Sequence, residues 1–226
     1  MDDLNFKCNN PGSVKFGNFI NYYQFHPPDE RISLLPTNIW DHLLLKDKVD
    51  ILDVGCNAGD LTKTLDDFFT NQIGLKTLNV LGVDIDPLLI QRAQEKFQNI
   101  NFRCMDIMSD DWAIGNNSCY DIIFCFSITM WIHLNNGDEG LKTFLKRMCD
   151  LSEILVIEPQ PWKCYKNALK RYRLGKGDFP KFKELQIRQN VEQEIEVLIS
   201  NNGFKKLTET SRTKWGRKLL IFRKTL

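Results

Sequence analysis

Apolar and polar stretches alternate along the chain in a way that predicts strands and helices in turn. The first clear strand is Val49–Val54, where apolar and β-branched residues dominate, as they do in buried parallel strands. Four further apolar runs follow, separated by longer amphipathic stretches: Leu78–Val83, Ile100–Cys104, Tyr120–Phe126 and Ile154–Ile157. This alternation predicts a mostly parallel sheet with helices on both faces.

The end of the chain has a different pattern. Two short strand-like segments, Phe204–Thr210 and Lys218–Arg223, are joined by a turn signal near Trp215-Gly216 and predict a closing antiparallel pair. The sequence therefore predicts an α/β, Rossmann-like fold with a mostly parallel seven-stranded sheet and an antiparallel C-terminal strand.

The helical segments differ in how clearly they begin. Asp86 followed by proline predicts a capped helix from Pro87 to about Phe97. The spacing of apolar residues after Asp29 predicts a helix that Pro36 interrupts or delays. Further helices are predicted at 137–149, 162–173 and 191–200, whereas 127–136 is predicted to be a loop after a buried strand.

Composition favours a soluble globular protein. The 226 residues are 42% hydrophobic and 26% charged, and no apolar run is long enough to cross a bilayer. We expect a single domain over residues 1–226, a monomer, in which the aromatic-rich segment 1–30 folds over the site. The acidic N-terminus is unlike a signal peptide, and the seven cysteines form no C-x-x-C pair. We therefore expect no metal, and a location in the cytoplasm or nucleus.

Charge is distributed unevenly along the chain. Residues 159–226 contain 17 Lys and Arg against 6 Asp and Glu, while residues 1–158 contain 13 against 23. A basic C-terminal third is suited to contact with a polyanion such as nucleic acid, although a solvated basic surface has the same composition.

Candidate chemistry lies where the strands end, because ligands of such sheets bind at the carboxyl edge. Gly55-x-x-x-Gly59 allows a tight turn but lacks the spacing of dinucleotide or ATP phosphate loops. Asp53 suits a positively charged ligand, and Asp84 can accept hydrogen bonds from both hydroxyls of a ribose. Asp106 follows the third strand, where an adenine could bind. Without a phosphate loop, the ligand that fits these positions is an adenosine that carries no phosphates, so we predict S-adenosylmethionine.

Two polar and aromatic segments follow later strands, Ser127–Gly140 and Glu158–Tyr165. Taken with Phe16–Phe19, Tyr22-Tyr23 and Phe25–Pro28, they resemble the bicoid-interacting-protein-three family of RNA methyltransferases from about Gly17 to Arg223. Its RNA 5′-monophosphate branch is the most similar. The resemblance implies a class I methyltransferase fold and methyl transfer to the 5′-phosphate of small RNAs, tRNA-like or hairpin, such as histidine tRNA or microRNA precursors.

The resemblance also implies site residues. The cofactor positions fall on Tyr23, Arg31, Gly55, Cys56, Asn57, Asp84, Ile85, Asp106, Ile107 and Phe126, to which the charge argument adds Asp53. The substrate-side and catalytic candidates are Tyr22, His26, His133, Glu158, Gln160, Trp162 and Lys163. We expect Arg31 to bind the cofactor carboxylate, and His133, Lys163 and His26 to hold the phosphate.

Two positions distinguish branches of this family. The sister branch, which caps a 5′-triphosphate, typically has Lys where this chain has Met130 and Arg where it has His26. A site with fewer cations favours a 5′-monophosphate over a 5′-triphosphate. A triphosphate-capping enzyme, a small-molecule methyltransferase and a catalytically silent RNA-binding module remain alternatives.

Overall fold

The computed structural model describes residues 15–109 and 119–225. Seven strands form one sheet in the order β3-β2-β1-β4-β5-β7-β6, and only β7 runs against its neighbours. The strands are β1 Val49–Val54, β2 Leu78–Asp84, β3 Asn101–Cys104, β4 Tyr120–Phe126, β5 Ser152–Glu158, β6 Phe204–Glu209 and β7 Leu220–Lys224. The predicted sheet and its antiparallel C-terminal strand are confirmed.

The helices connect and cover this sheet. They are α1 Tyr22–Phe25, α2 Pro28–Ile32, α3 Asp60–Asp67, α4 Pro87–Lys96, α5 Thr129–Leu151, α6 Trp162–Leu174 and α7 Val191–Asn201. A π-helical turn, Phe68–Ile73, continues α3, and 3-10 turns occupy Asp41–Leu45 and Pro180–Lys183. No helix in the described ranges is long and apolar enough to span a membrane.

Two apolar clusters cover opposite faces of the sheet, because successive side chains of a strand point to opposite sides. Leu52 of β1 belongs to a cluster that includes Phe144 of α5 and Ile195 of α7. Its neighbour Ile51 belongs to another cluster that includes Leu65 of α3. Apolar burial on both faces holds the strand ends, and therefore the site, in fixed positions.

Two local predictions were wrong. The helix predicted after Asp29 ends at Ile32, and the chain is non-helical through Pro36, since proline disfavours helical backbone in the residue before it. The loop predicted at 127–136 is largely the first part of α5. That helix has a break at Gly137, whose φ is 76°.

Asp86 caps α4 as predicted. Its Oδ1 accepts from the backbone nitrogens of Leu88 at 2.8 Å and Leu89 at 3.4 Å. Its Oδ2 accepts from Nδ2 of Asn18 at 2.7 Å, which attaches the N-terminal segment to the helix.

We expect Asp86→Ala to lower the free energy of unfolding by about 1–2 kcal/mol, because a helix cap and a buried partner of Asn18 are both lost. Urea unfolding measures this. Gln91→Ala, an exposed change on the same helix, is the control and should stay within ~0.5 kcal/mol. Equal effects of the two changes would contradict the capping role.

Candidate active site

A cleft lies at the carboxyl ends of β1, β2, β3 and β4, next to the glycine turn. Seven of the predicted cofactor residues line it: Gly55, Asn57, Asp84, Ile85, Asp106, Ile107 and Phe126. It encloses about 960 Å³ of empty space that opens to solvent. We call it the first cleft.

The turn after β1 passes close to Ile128 because Gly55 has no side chain. Gly55 has a φ of 79°, and a Cβ added there would lie 2.3 Å from Cγ2 of Ile128. Asn57 also adopts a positive φ of 53°. Its Nδ2 donates to the carbonyl of Phe19 at 2.9 Å. Gly55 thus combines a positive φ, which favours glycine, with a close approach to Ile128 in the lining of the first cleft.

Asp84 ends β2 with its carboxylate fixed. Its two oxygens accept from the backbone nitrogens of Asn57 at 2.9 Å and Asp86 at 3.0 Å. A carboxylate has further lone pairs, so it can still accept from ribose hydroxyls. Burial raises the pKa of Asp84 to about 6.

Apolar and polar groups complete the first cleft. Ile85 and Ile107 offer apolar surface to a purine, whereas the exposed Asp106 turns its Oδ1 back to the nitrogen of Met108 at 2.8 Å. Asn18 also lines the cleft, and its buried Oδ1 has no partner among the described residues. An unpartnered acceptor in the lining of the first cleft is a suitable contact for a hydroxyl or ammonium group of a bound cofactor. The residues present thus fit S-adenosylmethionine.

Four predicted cofactor residues do not line the first cleft. Asp53 is buried and accepts from Oγ1 of Thr62 at 2.7 Å, so it joins β1 to α3. Burial raises its pKa to about 6. Cys56 is fully buried and packs against Phe102. Tyr23 donates its hydroxyl to the Cys56 carbonyl at 3.1 Å, so it supports the turn from behind.

Arg31 is the fourth predicted cofactor residue that does not line the first cleft. Its side chain is fully buried and its guanidinium donates to Oε2 of Glu158 from NH2 at 2.8 Å and Nε at 3.2 Å. NH2 also donates to the Tyr22 hydroxyl at 2.6 Å and to Oγ of Ser127 at 3.1 Å. The expected contact with a cofactor carboxylate is not available in this arrangement, because protein groups already occupy the guanidinium.

A second cleft adjoins the first on the side of α6. Its lining residues are Phe19, Tyr22, Phe25, His26, Ser127, Met130, Trp131, Gln160, Cys164, Asn167, Ala168, Arg171 and Arg217. Tyr22, Ser127 and Trp131 line both clefts. The two spaces therefore share one wall.

The N-terminal segment forms much of that shared wall. A Cβ on Gly17 would lie 2.1 Å from Cε2 of Trp131, so only glycine allows this close approach. Phe19 packs edge-on against Trp131, and Tyr22 stacks on His26 with ring centroids 4.7 Å apart. The described part of segment 1–30, residues 15–30, thus packs at the site, and residues 1–14 lie outside the described ranges.

Of the predicted substrate-side residues, Tyr22, His26 and Gln160 line the second cleft. Gln160 is almost fully buried and accepts from Oγ1 of Thr129 at 3.0 Å and the nitrogen of Met130 at 3.1 Å. It therefore fixes the start of α5 rather than offering a free amide to a substrate.

His133 is buried and lines neither cleft. Its ring is fully buried, with Nδ1 3.1 Å from the Tyr165 hydroxyl and Nε2 2.6 Å from Oδ1 of Asp138. The segment is helical, so Met130, His133 and Leu134 fall on its inward face. The sequence analysis expected a loop at this segment, whereas the structure has the first turns of α5.

Three further candidates lie outside both clefts. Trp162 stacks on Phe182 and packs on Tyr165, and Lys163 points from the exposed side of α6. Glu158 is fully buried, and the two arginines near it, Arg31 and Arg217, lower its pKa. A buried carboxylate that stays ionised and paired positions other groups and is a poor proton acceptor.

Ser127 and Arg217 are site residues that the sequence analysis did not select. Ser127 has a φ of 58°, a left-handed conformation that costs a serine about 1–3 kcal/mol. Its hydroxyl donates to Glu158 and accepts from NH1 of Arg217 at 2.5 Å. Its position directly after a buried strand was the available signal. No comparable sequence signal pointed to Arg217, which lies in the connection between β6 and β7.

Comparisons with known proteins agree with this geometry. The family model described as bicoid-interacting protein 3 matches residues 120–224, and a methyltransferase-domain model matches residues 51–151. A Xenopus laevis protein named pre-miRNA 5′-monophosphate methyltransferase is 40% identical over 94% of this chain and 93% of its own length. The chain belongs to the bicoid-interacting protein 3 family of methyltransferases.

Other relatives in the family and solved structures extend the match. RNA 5′-monophosphate methyltransferases of Bos taurus and Homo sapiens are 39% and 38% identical, each over 94% of this chain and 82% of the relative. Magnesium protoporphyrin IX methyltransferase from Synechocystis PCC 6803, solved with bound SAM, has a TM-score of 0.58 at 16% identity and covers 98% of this chain and 86% of that one. This structural similarity confirms the class I methyltransferase fold.

Cofactor affinity should depend on pH through Asp84. Ribose hydroxyls and a sulfonium favour the ionised carboxylate, whose pKa of about 6 in the free protein lies above the ordinary value. Protonation therefore competes with binding as the pH falls through 6. We expect the dissociation constant of S-adenosylmethionine, measured by calorimetry, to rise about tenfold from pH 7 to pH 5. The variant Asp84→Asn should bind S-adenosylmethionine weakly at both pH 7 and pH 5. If its dissociation constant rose as steeply with falling pH as that of the wild type, a group other than Asp84 would cause the pH dependence.

Proposed function

We propose that this protein transfers a methyl group from S-adenosylmethionine to the 5′-monophosphate of a small RNA. The observation that carries the proposal is the wall shared by the two clefts. A donor bound beside Asp84 and an acceptor bound beside Arg217 would meet across Tyr22, Ser127 and Trp131. The names of the relatives support the choice of acceptor.

The charges around the second cleft suit a phosphate. Arg171 and Arg217 line it, and it has no carboxylate among its described lining residues. Met130 and His26 lie there as well. Burial and the adjacent arginines lower the pKa of His26 to about 4, so its ring is neutral at pH 7. Few cations favour a monophosphate over the more highly charged triphosphate.

The reaction requires the protein mainly to position the two reactants. When bound, S-adenosylmethionine supplies an electrophilic methyl group on a positively charged sulfur. A 5′-phosphate monoester is largely a dianion at neutral pH, since its second pKa is ~6. A phosphate oxygen would therefore accept the methyl group without a general base, with the new O–CH₃ bond replacing the C–S bond, and the phosphate would lose one negative charge. The chain must hold the two reactants in line, which supplies roughly 7–11 kcal/mol.

An adjacent face of α6 offers a path for the RNA. Cys164, Asn167, Ala168 and Arg171 line the second cleft, and the neighbouring face of α6 carries the exposed residues Lys163, Lys166, Lys170 and Arg173. These four span about 15 Å at 1.5 Å per residue. Among the described residues the three lysines have no carboxylate partner, so their charges are available to phosphates.

The acceptor is tested with three RNAs of one sequence that carry a 5′-monophosphate, a 5′-triphosphate or a 5′-hydroxyl. We expect mass spectrometry to find added methyl groups only on the monophosphate, because the second cleft has too few cations for a triphosphate. The reaction without cofactor is the control. Methylation of the triphosphate alone would make the protein a capping enzyme instead.

The path along α6 is tested with Lys166→Gln/Lys170→Gln. We expect RNA binding to weaken to a similar extent for every sequence, and the slope of log K against log salt to become shallower by about 0.7–0.9 for each lost contact. Lys142→Gln/Lys146→Gln on α5 removes the same charge from lysines that pair with Glu139 and Asp150. An unchanged slope in the α6 variant would exclude this path.

A further inference from the structure

One cation of the second cleft, Arg217, is incompletely paired among the described residues. The Arg217 side chain is only 11% exposed. NH1 lies 2.5 Å from Oγ of Ser127 and NH2 lies 3.9 Å from Sγ of Cys164. Its Nε is buried and has no hydrogen-bond partner among residues 15–109 and 119–225. A buried N–H without an acceptor is rare, and a bound ligand commonly explains it.

A second unpartnered atom belongs to the same cleft. Nδ1 of His26 is buried and lacks a partner within the described part of the chain. The ring is fixed between Tyr22, on which it stacks, and Trp215, which it meets edge-on at 4.9 Å between centroids. A neutral imidazole held in this way can present one N–H to a ligand oxygen.

The charge around Arg217 is incompletely balanced. Glu158 is its acidic neighbour, but Oε2 of Glu158 lies 3.9 Å from NH1 of Arg217 and 2.8 Å from NH2 of Arg31. Oε1 of Glu158 accepts from Nε1 of Trp215 at 3.0 Å. One carboxylate thus serves two guanidinium groups, and a buried guanidinium that shares its counter-ion favours a further anion.

From these contacts we infer that Arg217, through Nε, binds the 5′-phosphate of the RNA, with Nδ1 of His26 as a neutral second donor. The inference rests on the proposed function and names the residues that recognise its substrate. It replaces the expectation that His133 and Lys163 hold the phosphate, since neither lines either cleft. The buried contacts of Glu158 and Ser127 orient the Arg217 guanidinium, so these two are positioning residues.

The cofactor carboxylate is an alternative anion for the same guanidinium. Arg217 lines the second cleft and is absent from the described lining of the first, which favours the phosphate. The two sources are separated by measuring the affinity for S-adenosylmethionine and the affinity for RNA in the same variant.

The test compares Arg217→Gln with the wild type in binding a 5′-phosphorylated RNA and the same RNA with a 5′-hydroxyl. We expect the preference for the phosphorylated RNA to fall about tenfold or more, because a charge-assisted contact is lost. Affinities for the 5′-hydroxyl RNA and for S-adenosylmethionine should change less than about twofold. Arg212→Gln is the matched control, since Arg212 lies in the same connection but pairs with Glu192 at 2.8 Å.

A measurement on the wild type covers the case in which Arg217→Gln does not fold. The Nε–H signal of Arg217 in a nitrogen–proton correlation spectrum should shift when the phosphorylated RNA is added and stay in place with the 5′-hydroxyl RNA. The Arg212 signal should stay in place with both.

Four outcomes would overturn the inference. An unshifted Arg217 signal, or a preference that survives in Arg217→Gln while the wild type methylates the 5′-monophosphate, places the phosphate elsewhere and leaves the proposed function intact. Loss of S-adenosylmethionine affinity in Arg217→Gln assigns the residue to the cofactor. A wild type that neither prefers nor methylates phosphorylated RNA refutes the proposed function as well.

Discussion

The buried carboxylate of Glu158 is the interaction on which the site depends. It lies at the end of β5 and joins Arg31 from α2, Ser127 from the end of β4, and Trp215 from the connection between β6 and β7. Four distant parts of the chain therefore meet at one ionised group. Removing one partner of a buried ion pair costs about 3–5 kcal/mol, so these segments hold one another in place.

This network gives the site its shape. Arg31 holds the hydroxyl of Tyr22, and Ser127 contacts both arginines, so two residues of the wall between the clefts are fixed by the same charges. On the far side of that wall, the glycine turn and Asp84 leave open space beside β1 and β2. Fixed groups on both sides suit a reaction whose main demand is alignment of two reactants.

The sequence predicted the sheet better than the side-chain arrangement. Strands such as Tyr120–Phe126 are continuous apolar runs, and the capped helix after Asp86 follows from local chemistry, so both could be recognised without tertiary contacts. The positions around the first cleft followed from the strand ends, since parallel strands bring Gly55, Asp84 and Asp106 to one edge. Whether each of these residues binds the cofactor stays a prediction.

The side-chain contacts that differ from expectation have a common physical origin. Arg31, His133 and Glu158 are polar residues of the kind expected at a site, but their partners come from distant segments or from the other side of a helix break, and pairing makes burial possible. Arg217 is the opposite case, because nothing near it in sequence shows that the sheet carries it to the second cleft. Such assignments depend on three-dimensional pairing, which spacing along the chain does not encode.

The most direct test of the shared wall is a structure of the protein with S-adenosylhomocysteine and a 5′-phosphorylated RNA. Our account predicts adenosine beside Asp84, the phosphate beside Arg217, and an open line between the cofactor sulfur and a phosphate oxygen past Tyr22 and Ser127. A phosphate bound on the opposite side of α6, or an adenosine outside the first cleft, would contradict it.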